Sequence, residues 1–284
     1  MPRHGQVRHK KTHPPARLCI FCGKGNLSGE HVWPAWMGRH LDTKSPGGDS
    51  LEMRFTSANP RAPRVVVHSR ARQSGPTTKK VRVVCRDCNN GWMSRLEADV
   101  QPIILPLMRG DATVLSRDAQ SVIARWVALK VMVVEQEDPT AAVTTQDERR
   151  DFWWDFTMPS NLYISLFKCG QPPWRFNSMW LSMTVGPAPN PGNVPIPPST
   201  GGRKNCQTMV IGFGDLLVFA LRQPPPTNLI RLFDLRAGVD IWPTEFDAVG
   251  WPPPTSLTPS EATNLAELLS IRTRNLPWVP IPPR

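Results

Sequence analysis

Tyrosine is almost missing from this chain: one residue in 284, against eleven tryptophans, a skew expected of a genome rich in G and C. Long apolar runs are missing as well. No stretch reaches the roughly 18 residues that span a bilayer, and the amino terminus, though basic, lacks the apolar core of a secretory leader. The expectation is a soluble protein of a reducing, cytoplasmic compartment, with no membrane partner. Long unbroken helices should be few, because 32 prolines are about twice the usual share and gather into breakers at 195–198, 224–226 and 252–254. No internal repeat is present. Acidic residues are in short supply, 23 against 34 basic ones, for a net charge of +11. Such a surplus favours a polyanionic partner, nucleic acid before anionic membrane.

Cysteine is sparse too, with six residues, but four of them form two pairs of identical spacing, Cys19-x2-Cys22 and Cys85-x2-Cys88. In a reducing compartment paired cysteines are read as metal ligands rather than disulfides. Four thiolates suit tetrahedral zinc with Zn–S near 2.3 Å, and they leave no open coordination position. The zinc is therefore expected to be scaffold, not an activator of water. Cys169 and Cys206 stand alone and read as buried thiols.

Residues 1–17 read as a basic disordered arm. Leu27 to Val32 is strand-like and ends at Pro34, which opens a brief helix over 34–41. An exposed loop is expected from 43 to 60, followed by strands at Arg64–His68 and Lys80–Val84 joined through Gln73-Ser74-Gly75-Pro76. The second strand runs into Cys85, and a helix should leave the knuckle over Asn90–Val100. Further helices are expected at Ser116–Glu137, capped by Ser116, at Thr145–Phe156, and from Thr258 to about Arg274. Between them, short β-prone runs at 162–167, 179–185, 209–213, 216–221 and 228–233 predict a small antiparallel sheet. The fold class is α+β. A zinc-stapled unit occupies 18–110, and an α+β accessory domain occupies 111–284.

Beside the first knuckle lies Glu30-His31-Val32-Trp33-Pro34, and beside the second Asn89-Asn90. Phosphodiester hydrolysis needs a base for water and a divalent cation to balance charge on phosphate and leaving oxygen. A neutral His31 can take the proton, and Glu30 with Asn89 or Asn90 can offer the hard oxygen donors that magnesium accepts. Neighbours on a regular strand face opposite ways, so a local distortion is required for Glu30 and His31 to serve one site. Glu97 lies two helical turns past Asn90 on the same face, as an extra ligand or a solvated carboxylate. Trp33, Trp36 and Trp92 are sufficient as core fillers of a small zinc module.

These residues resemble the HNH endonucleases, or ββα-metal nucleases, over about residues 18–100. Glu30-His31-Val32-Trp33-Pro34 is similar to that family's acidic-residue–histidine motif, and Cys85-Arg86-Asp87-Cys88-Asn89 to the second half of its zinc-bound members. The resemblance implies a ββα-metal fold, His31 as general base, Glu30 and Asn89 as ligands of catalytic Mg or Mn, and DNA as substrate. Lys80 stands where the family's middle asparagine would orient the histidine, so another group must do that work. The loop from His31 to Cys85 is longer than usual, consistent with an inserted DNA-contacting hairpin. Arg64, Arg70, Arg72, Lys79, Lys80 and Arg82 are the expected phosphate contacts. Two rivals remain: a zinc-ribbon module that binds nucleic acid without cutting it, and a zinc-stabilised interaction protein.

Overall fold

The computed structural model describes residues 18–40, 51–56, 64–68, 80–170, 176–183, 204–225, 237–258, 260–262 and 265. The elements, in chain order, begin with strand β1 (Leu27–His31), a single-turn helix α1 (Met37–His40), and strands β2 (Leu51–Thr56), β3 (Arg64–His68) and β4 (Lys80–Cys85). A short helix α2 (Arg86–Cys88) passes through a widened turn at Asn89–Met93 into α3 (Ser94–Met108). Strand β5 (Thr113–Ser116), α4 (Arg117–Val134) and α5 (Gln146–Asp155) follow. The remainder is β6 (Leu162–Cys169), β7 (Phe176–Met183), β8 (Cys206–Phe213), β9 (Leu216–Arg222), β10 (Val239–Trp242), β11 (Ala248–Trp251) and β12 (Ser256–Leu257). The arrangement is mixed α+β.

β4 does not pair with β3, as the turn at 73–76 suggested. It pairs antiparallel with β1, with Leu27 opposite Cys85 and His31 opposite Lys80. The reason lies at the cysteine end. Ile20 N–H donates to the Val83 carbonyl at 2.9 Å and Arg86 N–H to the Asn26 carbonyl at 3.1 Å, so both knuckles are laced before the strands diverge. The expected loop 43–60 is corrected as well, because it contains β2. β2 and β3 form an antiparallel hairpin, and β2 continues parallel to β7.

The large sheet runs β10-β6-β9-β8-β7-β2-β3, with β12 parallel against β6. It is wider than the small sheet expected for the carboxyl-terminal half, and it recruits two strands from between the cysteine pairs. Its centre is antiparallel, and every residue of β8 is buried. A strand covered on both faces is apolar along most of its length, as Met209–Phe213 is, while Gln207 and Thr208 are buried polar residues near its start. β5 and β11 make a separate two-stranded ribbon.

Helix α3 extends to Met108 instead of stopping near Val100, and it carries Pro102 and Pro106 internally. Proline deletes one i→i−4 bond. The carbonyls that lose their donors belong to Ala98 and Pro102, both exposed, so water can replace them. Leu96, Val100, Ile104 and Leu107 form the buried side of α3. α4 begins as expected, with the Ser116 hydroxyl accepting from Ala119 N–H at 3.2 Å. Trp126 from α4 meets Phe213 of β8 edge to face at 6.2 Å. One continuous core thus runs from the cysteine unit through α3 and α4 to the sheet.

The expected helix from 258 is seen at its start, where Thr258 and Glu261 cap one another. The basic arm 1–17, the strand expected at 228–233, and Arg70, Arg72 and Lys79 lie outside the described residues.

Candidate metal centre

A Cys-x2-Cys segment turns tightly enough for both thiols to face one point. Here Gly23 N–H donates to the Cys19 carbonyl at 3.0 Å, with Gly23 at φ +72°. The second knuckle is the start of a helix, where Cys88 N–H donates to Cys85 Sγ at 3.4 Å. The two knuckles bring the sulfurs of Cys19, Cys22, Cys85 and Cys88 within 4.8 Å of one another, and Cys22 Sγ lies 3.5 Å from Cys85 Sγ. Zinc at about 2.3 Å from four tetrahedral sulfurs sets them roughly 3.8 Å apart. The donor set and its spacing fit that ion. Hydrogen bonding from the Cys88 thiol, with help from backbone N–H groups and against the opposing effect of burial, pulls the Cys19 thiol down to about 4. Phe21, Trp92, Phe152 and Phe156 pack edge to face behind the knuckles, with Phe21 and Trp92 at 5.1 Å. Gln146 of α5 ties down the first knuckle by donating to the Ile20 carbonyl at 2.7 Å. Trp33 and Trp36 are buried in the same core.

The distortion that two adjacent strand residues require is present. Pairing of β1 with β4 shifts from Ser28 opposite Val84 to Glu30 opposite Val81, a bulge immediately before the Glu-His pair. Glu30 turns inward and is only 5% exposed. His31 is half-buried beside it. Burial, then the Lys80 charge opposite, hold the imidazole below its ordinary value; Glu97 pulls the other way and Lys130 adds to the lowering.

Lys130 is the residue that reading the sequence missed. It comes from the middle of α4, and its side chain is completely buried. Its ammonium donates to Glu97 Oε1 at 2.6 Å and lies 3.6 Å from Glu30 Oε1. Burial pushes the Glu30 carboxyl up, while Lys130 opposes that rise and Glu97 adds to it. The missed signal was periodicity. Lys130 is four residues past Trp126 and seven past Ile123, on the face that must enter the core. A charge there demands a counter-ion.

Asn89 occupies the first turn after the second knuckle, and its Nδ2 donates to Ser28 Oγ at 3.1 Å. That bond orients the amide against β1, two residues before Glu30. Asn90 is exposed on the widened turn. Among the described residues, the four cysteines are the one group of three or more His, Cys, Asp or Glu side chains gathered at metal-binding distance. Glu30 and Glu97 meet at Lys130 instead. Of the expected phosphate contacts, Lys80 and Arg82 are exposed on β4, and Arg64 begins β3. Arg39, Arg86 and Arg95 are also exposed. No family model, curated protein or solved structure matches this chain.

Proposed function

We propose that this protein is a metal-dependent endonuclease of the HNH kind, hydrolysing DNA phosphodiester bonds at the β1–β4–α3 unit. The observation that carries the reading is the placement of a buried glutamate and a half-buried histidine side by side at a bulge. The strand that bears them is held by a four-cysteine cluster against the knuckle from which the helix of Asn89 and Glu97 departs.

In this reading zinc on Cys19, Cys22, Cys85 and Cys88 fixes the frame. His31, held neutral by burial and by Lys80, accepts the proton of the attacking water. Glu30 and Asn89 hold a magnesium or manganese ion, with Asn90 and Glu97 as further oxygen donors. That ion, when bound, neutralises charge developing on the phosphate and the departing oxygen. Asn89 owes its orientation to Ser28. Lys80, Arg82, Arg86 and Arg95 supply exposed positive charge around the unit, and binding through such charge weakens steeply with salt and reads little sequence.

A plasmid-nicking assay with Mg²⁺ or Mn²⁺ tests this reading. Wild type is expected to nick, and His31→Ala and Asn89→Ala to lose about 100-fold or more of the rate while retaining DNA binding. One observation favours a second reading, a zinc-stapled nucleic-acid-binding module without cleavage: the candidate carboxylates already have a cation in Lys130. Salt-sensitive binding with no metal-dependent nicking by the wild type decides for that module.

A further inference from the structure

Ser182 of β7, Gln207 of β8 and Arg222 of β9 stand opposite one another across three adjacent strands. Directly opposite residues of antiparallel strands share one face of the sheet, so the three side chains form a polar row. The row is buried: Ser182 is 1% and Gln207 2% exposed, and the Arg222 side chain is 12% exposed. Among the described residues, Ser182 Oγ, Gln207 Oε1, Gln207 Nε2 and Arg222 Nη1 have no hydrogen-bond partner. Buried polar atoms are nearly always bonded, and each exception calls for a partner such as water, an ion or a ligand. Space for one is at hand. Arg222 lines a cavity of about 250 Å³ together with Val143, Thr145, Lys204, Pro224 and Pro225. Its walls are fixed from behind. Buried Glu135 accepts from Val143 N–H at 3.0 Å and from Thr144 N–H at 3.1 Å. Gln223 N–H donates to the Asn161 carbonyl at 3.2 Å, and both of those residues line the cavity as well.

We propose that this cavity is a second ligand site, which takes the phosphate group of a small phosphate monoester against Arg222 and Lys204. It is independent of the chemistry proposed beside the cysteine cluster. Arg222 is oriented by Glu148 of α5, whose Oε1 accepts from Arg222 Nη2 and whose Oε2 accepts from Thr145 N–H at 2.8 Å. Against burial, Thr145 and Arg222 hold the Glu148 carboxyl below its ordinary value, so it stays charged and offsets the guanidinium. Lys204 then supplies uncompensated positive charge, since no ion pair of Lys204 is present among the described residues. A guanidinium held at one nitrogen and unpartnered at the other fits an oxyanion, and a lysine adds a point charge that phosphate accepts. A carboxylate presents two oxygens in one plane. Phosphate presents three, which suits polar groups that reach the cavity from separate segments at 145, 160–161, 204–205 and 222–223. Val143, Pro224 and Pro225 give the cavity an apolar wall, suited to the organic body of an ester. Gln207 and Ser182 extend the polar row from Arg222 and can bond a phosphate oxygen through a bridging water.

Calorimetric titration of the zinc-loaded full chain with thymidine monophosphate tests this, in phosphate-free buffer without added divalent ion so that the site beside His31 stays silent. Wild type is expected to bind one equivalent. Lys204→Met removes the charge at a half-buried position and is expected to weaken binding at least about ten-fold. Lys204→Arg should restore it, a rescue that a purely packing role would not produce. Inorganic phosphate should bind more weakly than the ester, because it leaves the apolar wall uncovered. Absence of saturable binding by the wild type, or unchanged affinity in folded Lys204→Met, overturns the proposal and leaves water as the partner of the polar row. Thymidine, which lacks the phosphate, gives a test that needs no variant: affinity equal to that of the monophosphate overturns the proposal. Competitors then identify the source of the ester. Displacement by a terminally phosphorylated oligonucleotide, and not by its hydroxyl-ended counterpart, assigns the end of a nucleic-acid strand. Displacement by neither assigns a free nucleotide. Equal displacement by both shows that the cavity takes phosphodiesters, and overturns the monoester assignment.

Discussion

At the scale of single residues, the proposed reading gives the cysteines and the Glu-His pair different work, and substitution separates them. The four thiols lie within 4.8 Å of one another at the cysteine ends of the two knuckles, and in the proposed reading each would be one of four bonds to a structural zinc. Removing one ligand from a structural zinc site removes folding free energy directly. Cys88→Ser is therefore expected to release zinc on dialysis and to unfold the unit, measured as metal content and loss of near-ultraviolet circular dichroism. His31→Ala touches neither the sulfurs nor the buried face of β1. It should retain one zinc per chain and its fold. Loss of zinc in His31→Ala would show that the scaffold ion and the chemistry are not separate. Lys130 belongs to this scale as well. Its type was plain in the sequence, but its importance comes from Glu30 and Glu97, which lie about a hundred and about thirty residues earlier in the chain.

At the scale of elements, the course of α3 is set at both ends by contacts rather than by helix propensity. It leaves the zinc knuckle through the widened turn at Asn89–Met93. At the other end the Met108 carbonyl accepts from Asp215 N–H at 2.9 Å, at the turn between β8 and β9. That turn depends on Gly214, whose φ of +56° lies in the left-handed region, and a Cβ there would stand 2.3 Å from the Met108 oxygen. Backbone cannot move aside as a side chain can. Gly214→Ala is expected to destabilise the protein by more than about 1 kcal/mol, read as a lowered denaturation midpoint. A change within error would mean that α3 is not anchored to the sheet through this turn. The pairing of β4 with β1 has a similar origin. Local turn chemistry at 73–76 favoured a β3–β4 hairpin, but the lacing of the two knuckles selects β1.

At the scale of the whole molecule, the charge surplus and the core give opposite impressions of independence. The basic residues concentrate between the cysteine pairs and suggest a self-contained unit. The core does not stop at residue 110. α3 packs on α4, α4 packs on the sheet through Trp126 and Phe213, and β2 and β3 join that same sheet. A fragment spanning 18–110 would expose the apolar side of α3 and leave Glu30 and Glu97 without Lys130. Such a fragment, supplied with zinc, is expected to lack a cooperative thermal transition that the full chain shows. A sharp transition in the fragment would establish the zinc unit as independently stable.

Much of the chain is legible from its residues alone, and for a physical reason: the informative signals are local. Paired spacing of cysteines specifies a tetrahedral ligand set, the Ser116 hydroxyl caps the helix it precedes, and apolar runs such as Met209–Phe213 become buried strands. None of these requires knowing what lies elsewhere. Partnership between distant segments requires that knowledge. Which strand β4 would take, that β2 and β3 would extend the carboxyl-terminal sheet, and that a lysine of α4 would stand between Glu30 and Glu97 were all left to tertiary structure. Such choices are made by the free energy of closing a shared core and a shared cysteine cluster, and no single stretch of sequence contains both sides of those contacts.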